Sequence, residues 1–167
     1  PNPKCWIYPN AHGSLDVSGA IENSCNSFFY EVGYRLSLKD NGINSISQDN
    51  NQGDATNAYY SSELGLQKLS KYAQMFGLGT TSGMEIPEDS SVPSAIGQGT
   101  NNYTTSQLAR YVTTIANKGT LFDLTLLNKT TDVKGNVIEE SQPKIDNTLS
   151  DISAGTWDAV HEGMRNV

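Results

Sequence analysis

Ala20-Ile21-Glu22-Asn23-Ser24-Cys25-Asn26-Ser27-Phe28-Phe29-Tyr30 places a polar break between two apolar helical patterns. Upstream, Asp16 or Ser18 can cap a helix whose apolar positions include Ile21 and Cys25, since a short oxygen-bearing side chain satisfies free N–H groups of a first turn. Downstream, Phe28, Phe29, Val32 and Leu36 recur at helical spacing and are expected to pack inward. In the break itself, Ser24 and Asn26 hold a hydroxyl and a carboxamide two residues apart. Such a pair suits proton relay and amide recognition in acyl transfer. It equally suits plain capping of adjoining helix ends.

Carried outward, the same reading gives a mainly α protein with one late β-hairpin. Leu66, Leu69, Tyr72, Ala73 and Phe76 mark a helix that Gly77 or Gly79 can end. Pro87 and Pro93 are expected to keep the next segment irregular. Thr104 and Gln107 fit a capping box that opens a helix through Leu108, Val112, Ile115 and Ala116. Asn117-Lys118-Gly119 supplies its stop. Leu121 to Leu127 reads as strand, and Val133-Lys134-Gly135-Asn136-Val137 as a hairpin turn. Asp151 or Ser153 starts a last helix carrying Trp157, Val160 and Met164. Residues 39–57 are crowded with Asn, Asp, Gln, Ser and Gly and read as an exposed loop.

A chain of 167 residues can build one domain with a core. A net charge of -7 without any Lys/Arg cluster argues against nucleic acid or anionic lipid as the main partner. No stretch approaches the length of a membrane span. Both ends read as cut, since the chain begins at Pro1 and stops at Val167 inside an apolar helical pattern. Cys5 and Cys25 make no disulfide scaffold; Cys25 is read as a small buried hydrophobe, with pairing to Cys5 as the alternative. His12 and His161 lie far apart and no zinc-type spacing is present, so neither metal nor cofactor is expected.

The nucleophile side of an acyl-transfer site is missing. A Ser-x-x-Lys pair on a first helical turn would put both side chains on one face. The sole match, Ser141-Gln142-Pro143-Lys144, sits in a polar stretch after the hairpin and reads as a decoy. Lys118-Gly119-Thr120 has the wrong order for a Lys-Thr-Gly strand. Ala95-Ile96-Gly97-Gln98-Gly99 reads as a tight turn, and nucleotide-loop spacings are absent. Glu85 and Glu88 have no assignable acid/base partner, and Tyr59, Tyr60, Tyr103 and Tyr111 are too scattered for a stacking platform.

Taken together, these residues resemble the transpeptidase domain of class B penicillin-binding proteins. The likeness runs from Cys5-Trp6 and His12-Gly13 through the 20–30 block, then Tyr72 to Gly79 and Thr81-Ser82-Gly83-Met84-Glu85-Ile86-Pro87. Its strongest part joins Ala95 to Gly99 with Thr104 to Ala109 and Ile115 to Gly119, and it closes on Glu162-Gly163-Met164-Arg165. Residues 38–63 are longer than the usual link, and Glu88 to Ser94 shorter.

The resemblance implies one incomplete domain over residues 1–167, mostly the helical lobe of the α/β penicillin-binding and serine β-lactamase-like fold. It implies a membrane-anchored D,D-transpeptidase on the extracytoplasmic face, cross-linking stem peptides that end in D-Ala-D-Ala through an acyl-serine. β-Lactams would be trapped at that step. Ser24 is then the proton relay near the lysine and Asn26 the ligand-amide donor, with Gly97, Gln98 and Gly99 as supports. A companion chain carrying the absent motifs and other cell-wall synthesis proteins are the implied partners. Two other readings stand beside it: a β-lactam-binding sensor domain and a non-catalytic interaction module.

Overall fold

The computed structural model describes residues 3–39, 60–79, 91–99 and 102–167. The expected loop over 39–57, together with Pro87, Glu85, Glu88 and Tyr59, lies wholly or almost wholly outside the described residues. The elements run α1 (Val17–Glu22), α2 (Asn26–Leu36), α3 (Ser62–Met75), α4 (Ser91–Ser94) and α5 (Thr105–Ala116). Strands β1 (Thr120–Phe122), β2 (Lys129–Thr131), β3 (Val137–Glu140) and β4 (Ile145–Thr148) follow, and α6 (Ala154–Arg165) closes the chain. The fold is mainly helical with a small antiparallel β component, as expected. No helix among the described residues is long and apolar enough to cross a membrane.

Helix boundaries follow the capping chemistry. Asp16 accepts from the Gly19 N–H at 2.9 Å, Ser61 from Leu64 and Ser153 from Thr156. Thr104 and Gln107 close a reciprocal capping box on α5. Gly77, at φ +77°, ends α3: its N–H bonds to Gln74 and the Leu78 N–H reaches back to Ala73. That is a Schellman cap, where a left-handed residue lets two orphan carbonyls be satisfied at once. Pro93 departs from expectation, since it sits inside the single turn of α4. A proline is tolerated in a first turn because the N–H it lacks would be unpaired there.

Helices α2, α3 and α4 meet through small residues. A Cβ at Gly33 would fall 2.8 Å from the Ala95 Cβ and 2.9 Å from the Ser91 carbonyl oxygen. One at Gly65 would collide with the Ser37 hydroxyl and the Ser91 side chain. This close approach buries hydroxyls, and each is paired. Ser37 donates to the Gly33 carbonyl at 2.8 Å and shares a 2.6 Å hydrogen bond with Ser91, whose own N–H donates to Ser62. Tyr60 stacks on Tyr34 at 5.5 Å, and an isolated antiparallel bridge joins Leu38 to Tyr60. The chain therefore returns after residues 40–59 beside the point where it left.

A second crossing joins α1 to α6. Gly163 lets the helices approach until a Cβ there would lie 2.7 Å from the Ser18 carbonyl oxygen, and Ser18 donates to the Ala159 carbonyl at 2.8 Å. His161 Nε2 donates to the Ile115 carbonyl at 2.7 Å, tying α6 to α5. Trp157 is buried against Phe76, which in turn meets Tyr111 edge-on at 5.7 Å. Burial pushes the Tyr111 phenol up from its ordinary range.

The β component holds two ribbons where the sequence reading has one hairpin. β2 and β3 flank the expected turn, with Thr130 opposite Glu139. Asp132 braces that turn, accepting from the Lys134 and Asn136 N–H groups at 2.8 Å, and the Asn136 amide holds its carboxyl below the usual range. β1 pairs with β4, Thr120 opposite Thr148. The strand expected over Leu121 to Leu127 ends at Phe122, where Arg110 Nε takes the Phe122 carbonyl at 2.5 Å. Leu124, Leu126 and Leu127 lie exposed beyond it.

Several side chains expected in the core are open: Val32, Tyr72, Leu108, Val112 and Met164 are exposed. Periodicity marks an apolar face but does not supply the surface that covers it. A cleft of about 460 Å³ runs between these helices, lined by Ile21, Phe29, Phe76, Tyr111, Ile115 and Val160 among others.

Replacing Gly33 with alanine should destabilise the fold by about 1–3 kcal/mol, because backbone and Ala95 must shift to admit one methyl. Equilibrium urea unfolding measures this. An unchanged midpoint would show that the helix crossing is not as tight as described.

Candidate active site

Ser24 sits at the corner between α1 and α2, and the backbone there decides its position. Its N–H bonds to the Ile21 carbonyl at 3.0 Å, while the Cys25 N–H reaches the Ala20 carbonyl at 2.9 Å. This is again a Schellman cap, with Ser24 in the left-handed place at φ +47°. Asn117-Lys118-Gly119 repeats the pattern after α5 with Lys118 at φ +60°. Glycine is the usual occupant of that place. A side-chain-bearing residue there carries a conformational penalty of about 1–2 kcal/mol. Strain of this kind, held at an exposed corner, is a recognised mark of functional positions.

Cys25 is extended, at φ -75° and ψ 97°, and caps the start of α2 without using its side chain. It is buried, in agreement with the sequence reading, whereas Ser24 is exposed and Asn26, the first residue of α2, is half-buried. Neither the Ser24 hydroxyl nor the Asn26 carboxamide has a hydrogen-bond partner among the described residues. Both are therefore unspent. Neither of them lines the apolar cleft or the smaller pocket beneath the corner.

That smaller pocket, about 260 Å³, lies under a strap formed by residues 3–13. Trp6 Nε1 donates to the Asn23 carbonyl at 3.2 Å and so ties the strap to the corner. Cys5 lies against the start of α2. Burial pushes its thiol up, but the N–H groups of Ser27, Ile7 and Asn26 and the Cys25 thiol together hold it below the ordinary range. His12 Nδ1 is 3.8 Å from the Cys5 sulfur. Sequence reading missed this gathering, because Cys5, His12 and Cys25 are separated by six and twelve residues, a spacing no common metal motif uses.

The other residues singled out from sequence lie in a turn and on a ribbon. Gly97 and Gly99 have φ of +76° and +129° in the turn after α4, with the Gln98 N–H bonded to the Pro93 carbonyl. The turn is as expected; nothing lies within 4 Å of a Cβ built on Gly97, so its need is for the dihedral alone. Lys144 of the Ser141-x-x-Lys144 match pairs with Asp123 at 3.0 Å, an ion pair on the ribbon.

Compared with known families, the chain matches the penicillin-binding protein transpeptidase domain over residues 4–167. The chain belongs to that family. Among curated relatives, the peptidoglycan D,D-transpeptidase MrdA of Haemophilus influenzae is 23% identical across 99% of this chain and 26% of its own length. Penicillin-binding protein 2B of Streptococcus pneumoniae is 27% identical across 96% of this chain and 25% of its own. Penicillin-binding protein H of Bacillus subtilis is 27% identical across 93% of this chain and 23% of its own. The chain thus spans about a quarter of the length of the relatives it matches. Among solved structures, penicillin-binding protein 2B of Streptococcus pneumoniae strain 5204 superposes with a TM-score of 0.65 at 24% identity, over 98% of this chain and 28% of that one. These matches are to the class B type read from the sequence, and the fold agrees with the helical lobe.

Ser24→Gly should raise the stability of the chain by about 1 kcal/mol, by relieving the left-handed side chain. Thermal unfolding of the two proteins side by side checks it. A loss of stability would mean that the hydroxyl has a structural partner after all.

Proposed function

We propose that this chain carries the Ser-x-Asn part of a peptidoglycan D,D-transpeptidase acting on the extracytoplasmic face of the bacterial membrane. The serine nucleophile and its lysine, and a Lys-Thr/Ser-Gly strand, are contributed by polypeptide beyond these 167 residues, in the same protein or a companion chain. The serine oxygen attacks the carbonyl of the penultimate D-Ala and the terminal D-Ala leaves with a proton. The amine of a neighbouring stem peptide then displaces the serine, forming the cross-link. Ser24 relays the proton between the lysine and the leaving nitrogen, and Asn26 donates its amide N–H to the substrate carbonyl. β-Lactams mimic the first step and remain on the serine.

One observation supports these roles above the rest: a serine held at positive φ on an exposed corner, its hydroxyl unspent, two residues before an unspent carboxamide. Pure capping does not account for it, because the caps at this corner are made by backbone groups. A chain belonging to a peptidoglycan synthase complex that coordinates polymerization and crosslinking shares the fold, with a TM-score of 0.62. That likeness supports other cell-wall synthesis proteins as the proposed partners.

The isolated chain should give no covalent adduct with a fluorescent penicillin, read by intact mass spectrometry. An adduct would place a nucleophile within the chain. In the complete enzyme, Asn26→Ala should slow acylation about 100-fold, the loss associated with one donor aimed at developing charge. Unchanged stopped-flow acylation rates would remove Asn26 from this role.

A further inference from the structure

The two helices that meet at the corner are held by different neighbours. Helix α1 packs on α6, while α2 packs on α3 and α4. Ser24 belongs to the first support: its N–H bonds to the Ile21 carbonyl at 3.0 Å, and the Cys25 N–H bonds to that of Ala20, which is fully buried. Asn26 belongs to the second, as the first residue of α2. Against α6, the side of α1 that carries Ser18 and Ile21 is pressed on Gly163. A Cβ there would stand 2.7 Å from the Ser18 carbonyl oxygen and 2.8 Å from the Ile21 Cβ. Ser18 adds a tether by donating to the Ala159 carbonyl at 2.8 Å. Since α1 has only six residues, a push at this crossing shifts the helix as one piece.

We propose that Gly163 is a positioning residue for the transpeptidase reaction: lacking a side chain, it seats α1 at the depth that keeps the Ser24 hydroxyl in register with the Asn26 carboxamide. The proposal rests on the roles given to Ser24 and Asn26 above. Carbon atoms in contact settle at about 3.5–4.0 Å, so a methyl on residue 163 drives α1 about 0.7 Å or more from α6. The displacement reaches the hydroxyl through the Ile21–Ser24 hydrogen bond. Asn26 moves less, because Gly33 fixes α2 against α4. A relay hydroxyl is sensitive to such a change, since a misplacement of about 1 Å can cost about 100-fold in rate.

Stopped-flow acylation of the complete enzyme by a fluorescent penicillin tests it, with rate and amplitude read separately. Gly163→Ala should lower the first-order acylation rate at least about 10-fold. Ser18→Ala, which removes the tether without adding bulk, should lower it by a smaller factor. In a Ser24→Ala background neither change should cost anything further, because residues that act through one group are not additive. A variant that merely destabilises the fold loses amplitude, the fraction of active molecules, and keeps its rate. That outcome for Gly163→Ala overturns the proposal and leaves the reading of Ser24 standing, and so does a rate loss that persists undiminished beside Ser24→Ala. Where Gly163→Ala gives too little folded enzyme, Ser18→Ala decides by the same two readings. If Ser24→Ala alone acylates at the unmodified rate, the relay reading fails and the positioning role falls with it.

Discussion

A single hydrogen bond, from the Cys25 N–H to the Ala20 carbonyl, closes the corner on which the rest of the candidate site depends. It forces Ser24 into the left-handed region, turns Cys25 inward and starts α2 at Asn26. Backbone groups do this work, so three consecutive side chains are released from local duties. One goes to the surface, one to the interior and one to the first turn of a helix. The same geometry serves at Gly77 and Lys118, where it merely ends a helix. What differs at Ser24 is that a second helix begins at once, so the cap becomes a presentation device.

The corner is rigid because its helices are clamped elsewhere. Gly33 and Gly65 let α2, α3 and α4 approach until serine hydroxyls replace aliphatic packing, while Gly163 does the same between α1 and α6. Crossings of this kind trade buried apolar area for short distances and saturated hydrogen bonds. Their advantage is definition, since buried hydroxyls with fixed partners admit one arrangement. Arg110, bonded to the Phe122 carbonyl and to Asp146, fastens the β1–β4 ribbon to α5 in the same manner.

Much of this was legible in the residues. Asp16, Thr104 with Gln107, Ser153 and Gly77 announce their caps because capping is local chemistry, settled within four residues. Membership of the family was also readable, since its blocks occur in order along nearly the whole chain. What could not be read was non-local. The pairing of β1 with β4 joins Thr120 to Thr148 and Phe122 to Ile145, far apart along the chain, and an arginine in a helix holds its end. The exposure of Val32, Tyr72 and Met164 is invisible to periodicity, which identifies a greasy face without showing its cover. The gathering of Cys5, His12 and Cys25 was missed because the strap that carries the first two folds back through turns whose geometry no spacing rule encodes.

The bridge between Leu38 and Tyr60 has a consequence for how this lobe can change. Antiparallel partners sit about 5 Å apart, so the polypeptide between them enters and leaves by one doorway, with Tyr34 stacked beside it. Helices α2 and α3 are held by their own crossing and by this doorway. Breaking that pairing would free the start of α3 from the end of α2, so a contact two residues wide sets how the two helices align.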